Sequence, residues 1–150
     1  MNRTTVTRRH VCLSLAGLSL AVLTGMPFPA IAAERPEEIL QSVYASYGGG
    51  AAYEPPYTQD LTKVLSDGEN HPGFDFFVDA QDFDKVSAEL SLTSESDVRA
   101  TVHVEVSNFG KVRPLEVDFV KEAGHWRIGN VRYTGPEGFD LRASTGLPPL

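Results

Sequence analysis

Four aspartates, Asp75, Asp79, Asp82 and Asp84, are interleaved with Phe74, Phe76, Phe77 and Phe83 in F-D-F-F-V-D-A-Q-D-F-D, the densest acidic stretch of the chain. Carboxylates so spaced have three uses. They can hold a hard cation, Ca²⁺ being the natural choice; they can dock a basic partner; or they can accept hydrogen bonds from nearby backbone amides, as aspartates do in turns and caps. The spacing does not match the D-x-[DN]-x-[DN]-G loop of an EF-hand, so the local role is favoured over a metal. The rings are expected to anchor the segment to the core. On that basis Asp75, Asp79 and Gln81 are assigned structural roles, while Asp82 and Asp84 face solvent and carry partner recognition.

The other reactive side chains are scattered. His71 falls in a turn, His103 on the polar face of a strand and His125 beside a second turn, and nothing in the sequence gathers them. No G-x-S-x-G, H-E-x-x-H or phosphate-binding glycine loop occurs, and Ser144 has no neighbouring base in sequence. Cys12 is the only cysteine, so the rest of the chain has no disulfide, thiolate metal site or cysteine nucleophile. No catalytic residue, metal or cofactor is therefore expected. Tyr44, Tyr47, Tyr53 and Tyr57 either line a pocket or pack in the core. Helical spacing favours the core for the first two.

The elements that must position these residues are legible from periodicity. Val98, Ala100, Val102, Val104 and Val106 alternate with polar residues, as in a strand with one buried face. Asn108-Phe109-Gly110-Lys111 reads as a hairpin. A strand carrying Leu115, Val117 and Phe119 follows, then a turn at Ala123-Gly124 and a strand from Trp126 and Ile128 to Tyr133. Val86 to Thr93 also alternates and adds a strand before the meander. Upstream, Ile39, Val43 and Tyr47 recur at helical spacing behind Pro36 and two acids, and Gly48-Gly49-Gly50 stops the helix. Thr58 is placed to cap a second helix bearing Leu61, Val64 and Leu65. Residues 74–84 match neither period and read as a short strand or an irregular segment. The expected core sets Val102, Val104, Val117, Phe119, Trp126 and Ile128 against Ile39, Val43, Tyr47, Leu61 and Leu65. Helices first and strands afterwards predict an α+β domain.

The first 32 residues read differently. Arg3, Arg8 and Arg9 precede the uncharged apolar run from Val11 to Met26, and Ala30-Ile31-Ala32 forms an A-x-A cleavage pattern. These are the three regions of an export signal, with cleavage expected after Ala32, and Arg8-Arg9 resembles a twin-arginine pair. The apolar run is short for a bilayer span, and Cys12 stands at its start, not at the end where a lipoprotein signal requires it. Three of the 13 basic residues and none of the 20 acidic ones lie in this segment, leaving ten basic and twenty acidic residues beyond it. Such a charge repels nucleic acid and anionic lipid and suits a basic protein partner or a small uncharged ligand.

Two N-terminal helices, a long antiparallel meander and a terminal W-[KR]-I-x-x-V strand resemble the NTF2-like superfamily. More narrowly, D-F-F-V-D-A-Q-D-F at 75–83, S-N-F-G at 107–110 and F-V-K-E-A-G-H-W-R-I at 119–128 resemble a family of small exported bacterial proteins defined only as a domain of unknown function. The resemblance covers most of 35–143. An acid often stands in that family at the positions of Gly73 and Asn130, so no acidic role is carried to either. The resemblance implies a cone-shaped α+β fold, with N-terminal helices packed on a curved antiparallel sheet, and no reaction. The expected organisation is a signal at 1–32, an NTF2-like domain at 33–143 and a flexible tail at 144–150. The expected function is that of an exported, periplasmic, non-catalytic binding or protein-interaction module. The alternatives are a cavity enzyme of isomerase or hydratase type, or an inhibitor or immunity protein for another periplasmic protein.

Overall fold

A computed structural model describes residues 33–68, 71–135 and 138–150. The signal expected at 1–32 lies outside the described residues. Helices α1 (Pro36–Tyr47) and α2 (Gln59–Ser66) are followed by strands β1 (Ser87–Glu95), β2 (Arg99–Asn108), β3 (Lys111–Glu122) and β4 (His125–Tyr133), and then by a single turn of helix, α3 (Leu141–Ser144). The strands form one open, curved antiparallel sheet in the order β1-β2-β3-β4, so the domain is α+β. Among the described residues no helix is long and apolar enough to cross a membrane.

Two of the sheet's connections are two-residue turns. Asn108 pairs with Lys111 across Phe109-Gly110, and Glu122 with His125 across Ala123-Gly124. All four central residues have positive φ, between 50° and 82°. This is the type I′ geometry that matches the twist of the flanking strands. Glycine takes it at no steric cost, whereas Phe109 and Ala123 take it against their preference.

Alternation holds along β2, where Ala100, Val102, Val104 and Val106 are buried. They meet Leu115, Val117 and Phe119 of β3, and α1 lays Ile39, Leu40, Val43 and Tyr44 over this face. Val98 departs from the pattern. It is 56% exposed, because it precedes the strand in the turn where Ser96 and Arg99 exchange hydrogen bonds. Tyr47 and Leu65, expected in the core, are only partly buried at its margin, each in the last turn of its helix.

β4 buries both Ile128 and Val131, a spacing that simple alternation forbids. The register slips between Asp118↔Asn130 and Phe119↔Ile128, leaving Gly129 as an extra residue. This bulge turns Ile128 towards Phe119 and Val131 towards Val117 on the same face. Gly129 is also tightly covered: a Cβ built there would stand 2.8 Å from the Leu150 side chain. Trp126 is 6% exposed at the end of the core, with Lys121 Nζ 4.5 Å from its ring centroid.

The outer edge of β4 is covered by an isolated parallel bridge. Ile128 N donates to Pro56 O, and Thr58 N donates to Ile128 O. Thr58 occupies the N-cap position of α2, but its hydroxyl donates to Asp60 Oδ1, and Asp60 Oδ1 takes the Leu61 amide that an N-cap side chain would be expected to serve.

Candidate functional site

The stretch that matched no period is a plug. Asp75 and Ala80 pair with each other through both backbone amides and close a tight turn. Phe76, Phe77 and Val78, inside that turn, are driven into the core with at most 5% exposure. Such a turn takes peptide groups out of water, and buried carbonyls need partners. Two tyrosines from distant elements supply them. Tyr44 of α1 donates to Phe77 O at 3.1 Å, and Tyr133 of β4 donates to Phe76 O at 2.5 Å. Burial is the main reason both phenols sit well above their ordinary pKa, with the Asp75 charge adding to it for Tyr44 and the Asp79 charge, foremost, for Tyr133.

Each sequence-assigned aspartate can now be placed. Asp75 Oδ1 accepts from Phe77 N at 2.9 Å, an Asx turn, and its Oδ2 accepts from the Tyr47 hydroxyl at 2.5 Å. Asp79 takes positive φ at the corner of the turn and forms an ion pair with Arg113 of β3. Gln81 reaches back to Gly73 O at 3.5 Å. Asp82 and Asp84 are exposed. Their backbone is fixed by a residue the sequence reading passed over. Asn108, buried at the end of β2, donates from Nδ2 to Asp82 O at 3.2 Å and accepts the Asp84 amide on Oδ1 at 3.1 Å. Its position in S-N-F-G was visible in the sequence, but its side-chain role depends on long-range contact. Phe83, half exposed between the two acids, meets Tyr47 edge-to-face at 5.1 Å.

The histidines are not brought together. His103 Nδ1 lies 3.0 Å from Glu116 Oε1 on the outer sheet face, His125 is exposed at the start of β4, and His71 Nδ1 accepts from Gly73 N. Among the described residues no three His, Cys, Asp or Glu side chains are grouped to hold a metal ion.

Over the plug lies an open cleft of about 660 Å³. Its walls are the last turns of α1 (Val43, Ser46, Tyr47), the loop carrying Tyr53 and Tyr57, and residues 71–81 with Asp75 at the floor. No sheet residue lines it. The polar groups that the apolar sheet face lacks are thus supplied by loops and a helix end. Tyr57 meets Phe76 edge-to-face, and its phenol is raised by burial and then by the Asp75 charge. Tyr47 is raised chiefly by burial and further by its hydrogen bond to Asp75. Among the described residues the site therefore presents one carboxylate amid neutral phenols, phenyl rings and the His71 imidazole. It can bind and orient a molecule with an apolar body.

No protein-family model, no curated protein and no solved structure matches the chain. The geometry of this cleft is accordingly the basis for a functional reading.

Proposed function

We propose that the chain is an exported, non-catalytic binding or protein-interaction module of NTF2-like type, with the cleft over Asp75 as its working site. The observation that carries this reading is the cleft itself: aromatic walls around one oriented carboxylate, in the volume range of small-molecule sites. The NTF2-like assignment draws support from two N-terminal helices preceding an open antiparallel sheet, one of them laid on its apolar face. Export rests on the arginine pair, apolar run and A-x-A pattern of residues 1–32. An intact mass beginning at Ala33 without acylation is the expected result for protein recovered from the periplasm.

A cavity enzyme of isomerase or hydratase type is the second reading, and the Tyr47–Asp75 pair is what favours it. Both Asp75 oxygens accept hydrogen bonds that tie the carboxylate to Tyr47 and to the Phe77 amide, so it is fixed in place as part of the turn. That geometry suits holding more than proton transfer. A third reading, an inhibitor or immunity protein, rests on exposed Asp82 and Asp84 flanking Phe83.

The test is ligand release. Protein isolated from its native compartment is denatured, and the liberated small molecules are compared by mass spectrometry with those from Ser46→Trp, which fills the cleft. A compound released by the wild type and absent from the variant supports the reading. Identical, empty profiles would remove the cleft as a small-molecule site.

A further inference from the structure

The composition of the cleft wall narrows its ligand. Among the described residues six phenol and phenyl rings line it, those of Tyr47, Tyr53, Tyr57, Phe74, Phe76 and Phe77, together with the His71 imidazole. Asp75 is the sole acidic side chain among the described lining residues, and these include no lysine or arginine. Aromatic faces carry negative potential and attract cations, most strongly where water is displaced. A carboxylate at the floor adds a full charge of the same sign. Tyr47 and Phe77 N hold it in place while each of its oxygens keeps a further lone pair. The surrounding phenols remain protonated, so none of them adds a second anion beside it. Among the described lining residues an anionic ligand would find no lysine or arginine, and the His71 ring on the same wall already accepts the Gly73 amide on Nδ1, while a neutral ligand would leave the carboxylate without a counter-charge. The acidic balance of the chain beyond residue 32 raises the local concentration of cations in the same sense.

We propose that the cleft binds a small organic cation, with its ammonium group between the tyrosine rings and Asp75 and its apolar body along Phe74 and Phe76. This rests on the cleft being a small-molecule site. It replaces the uncharged ligand expected from net charge with a positively charged one.

Choline and its neutral isostere 3,3-dimethyl-1-butanol separate charge from shape. Each is titrated into the mature chain and followed by ¹H–¹⁵N chemical shifts. Choline is expected to bind at least tenfold more tightly than the isostere, with shifts centred on Tyr53, Tyr57 and Asp75. Asp75→Asn is expected to erase that preference. Tyr53→Leu, in a loop outside the closed turn, is expected to weaken choline severalfold and serves where Asp75→Asn fails to fold. Equal affinity for the two probes overturns the charge assignment and leaves the cleft a binding site. Binding of neither probe also overturns it. A neutral compound released from the native protein would then uphold the cleft alone, and an empty release profile would remove both readings.

Discussion

The Tyr47 hydroxyl donates to Asp75 Oδ2 at 2.5 Å, joining the last turn of α1 to the mouth of a turn 28 residues further along the chain. Both residues line the cleft, and the bond orients the only carboxylate among its described lining residues. Tyr47→Phe removes the donor while keeping the ring that packs on Tyr44 and Phe83. The expected loss is about 0.5–1.5 kcal/mol, the net value of one hydrogen bond, because solvent in the open cleft can replace the lost partner. Urea denaturation of the variant checks this. An unchanged midpoint would mean that the pair does not hold the turn in solution.

The same phenols make the domain sensitive to alkali. Tyr44, Tyr47, Tyr57 and Tyr133 are all raised above the ordinary value of 10, with burial as the main cause. A group whose pKa is raised by folding contributes stability that is fully present below the unfolded value and is lost as pH rises through the folded one. The native protein is therefore expected to show no phenolate absorbance from these four residues near pH 10–11. They should appear together in a cooperative step at higher pH, coincident with loss of near-ultraviolet dichroism. Gradual ionisation of four tyrosines centred near pH 10, with the fold intact, would contradict their burial.

What the sequence made legible was what depends on local period. Ile39, Val43, Val102, Val104, Val117 and Phe119 announce their faces through spacing alone, and they are buried where expected. Gly110 and Gly124 mark turns that the register places at those residues. Three features were not legible because their causes are non-local. The Phe76-Phe77-Val78 plug has no period, since its side chains enter the core from a closed turn. The three-residue spacing of Ile128 and Val131 makes sense only with the bulge at Gly129. Tyr47 continues the stripe of Ile39 and Val43, yet it lies at the helix end, where its hydroxyl passes the core margin and meets Asp75. A pocket lined by Tyr47, Tyr53 and Tyr57 is one of the two readings those residues allow in sequence, but its place over Asp75 was not legible, because its walls come from segments separated in sequence and with no common periodicity.

Asn108 and its two clients separate positioning from recognition. The amide is buried, and both of its ends serve the backbone of Asp82 and Asp84. Asn108→Ala leaves that amide and carbonyl without their partner, and a loss of about 1–3 kcal/mol is expected. Asp82→Asn and Asp84→Asn alter only exposed carboxylates and are expected to stay within about 0.5 kcal/mol of wild type. Thermal melts of the three variants make the comparison. Marked destabilisation by either aspartate variant would give that carboxylate a structural role and take it out of any partner surface.

Arg142 shows how the C-terminal residues are tied to the domain. Its side chain is 4% exposed and donates to Pro148 O, to Gly129 O and to Asp60 Oδ2, the last at 2.6 Å. The sequence expectation of a flexible tail at 144–150 makes truncation after Leu147 neutral. These contacts predict instead a loss of about 0.5–1.5 kcal/mol when Pro148–Leu150 are removed, because Arg142 Nε loses its carbonyl and Gly129 its cover. The Asp60 end supplies a separate signature. The Arg142 hydrogen bond, above all, holds the Asp60 carboxyl down at about 2, against an ordinary 3.8. A pKa lowered by folding contributes stability that is present above the unfolded value and disappears as pH falls through the folded one. Stability should therefore decline between about pH 4 and pH 2, and Asp60→Asn should flatten that decline. Because the Asp60 side chain is 45% exposed, solvent screening reduces the pair's contribution, and the slope is the cleaner readout. Denaturation curves across this pH range for wild type, Asp60→Asn and the truncated chain distinguish the outcomes. If truncation leaves the melt unchanged while Asp60→Asn removes the acid slope, the pair holds Arg142 without help from the tail. If Asp60→Asn retains the wild-type slope, the ion pair does not form in solution.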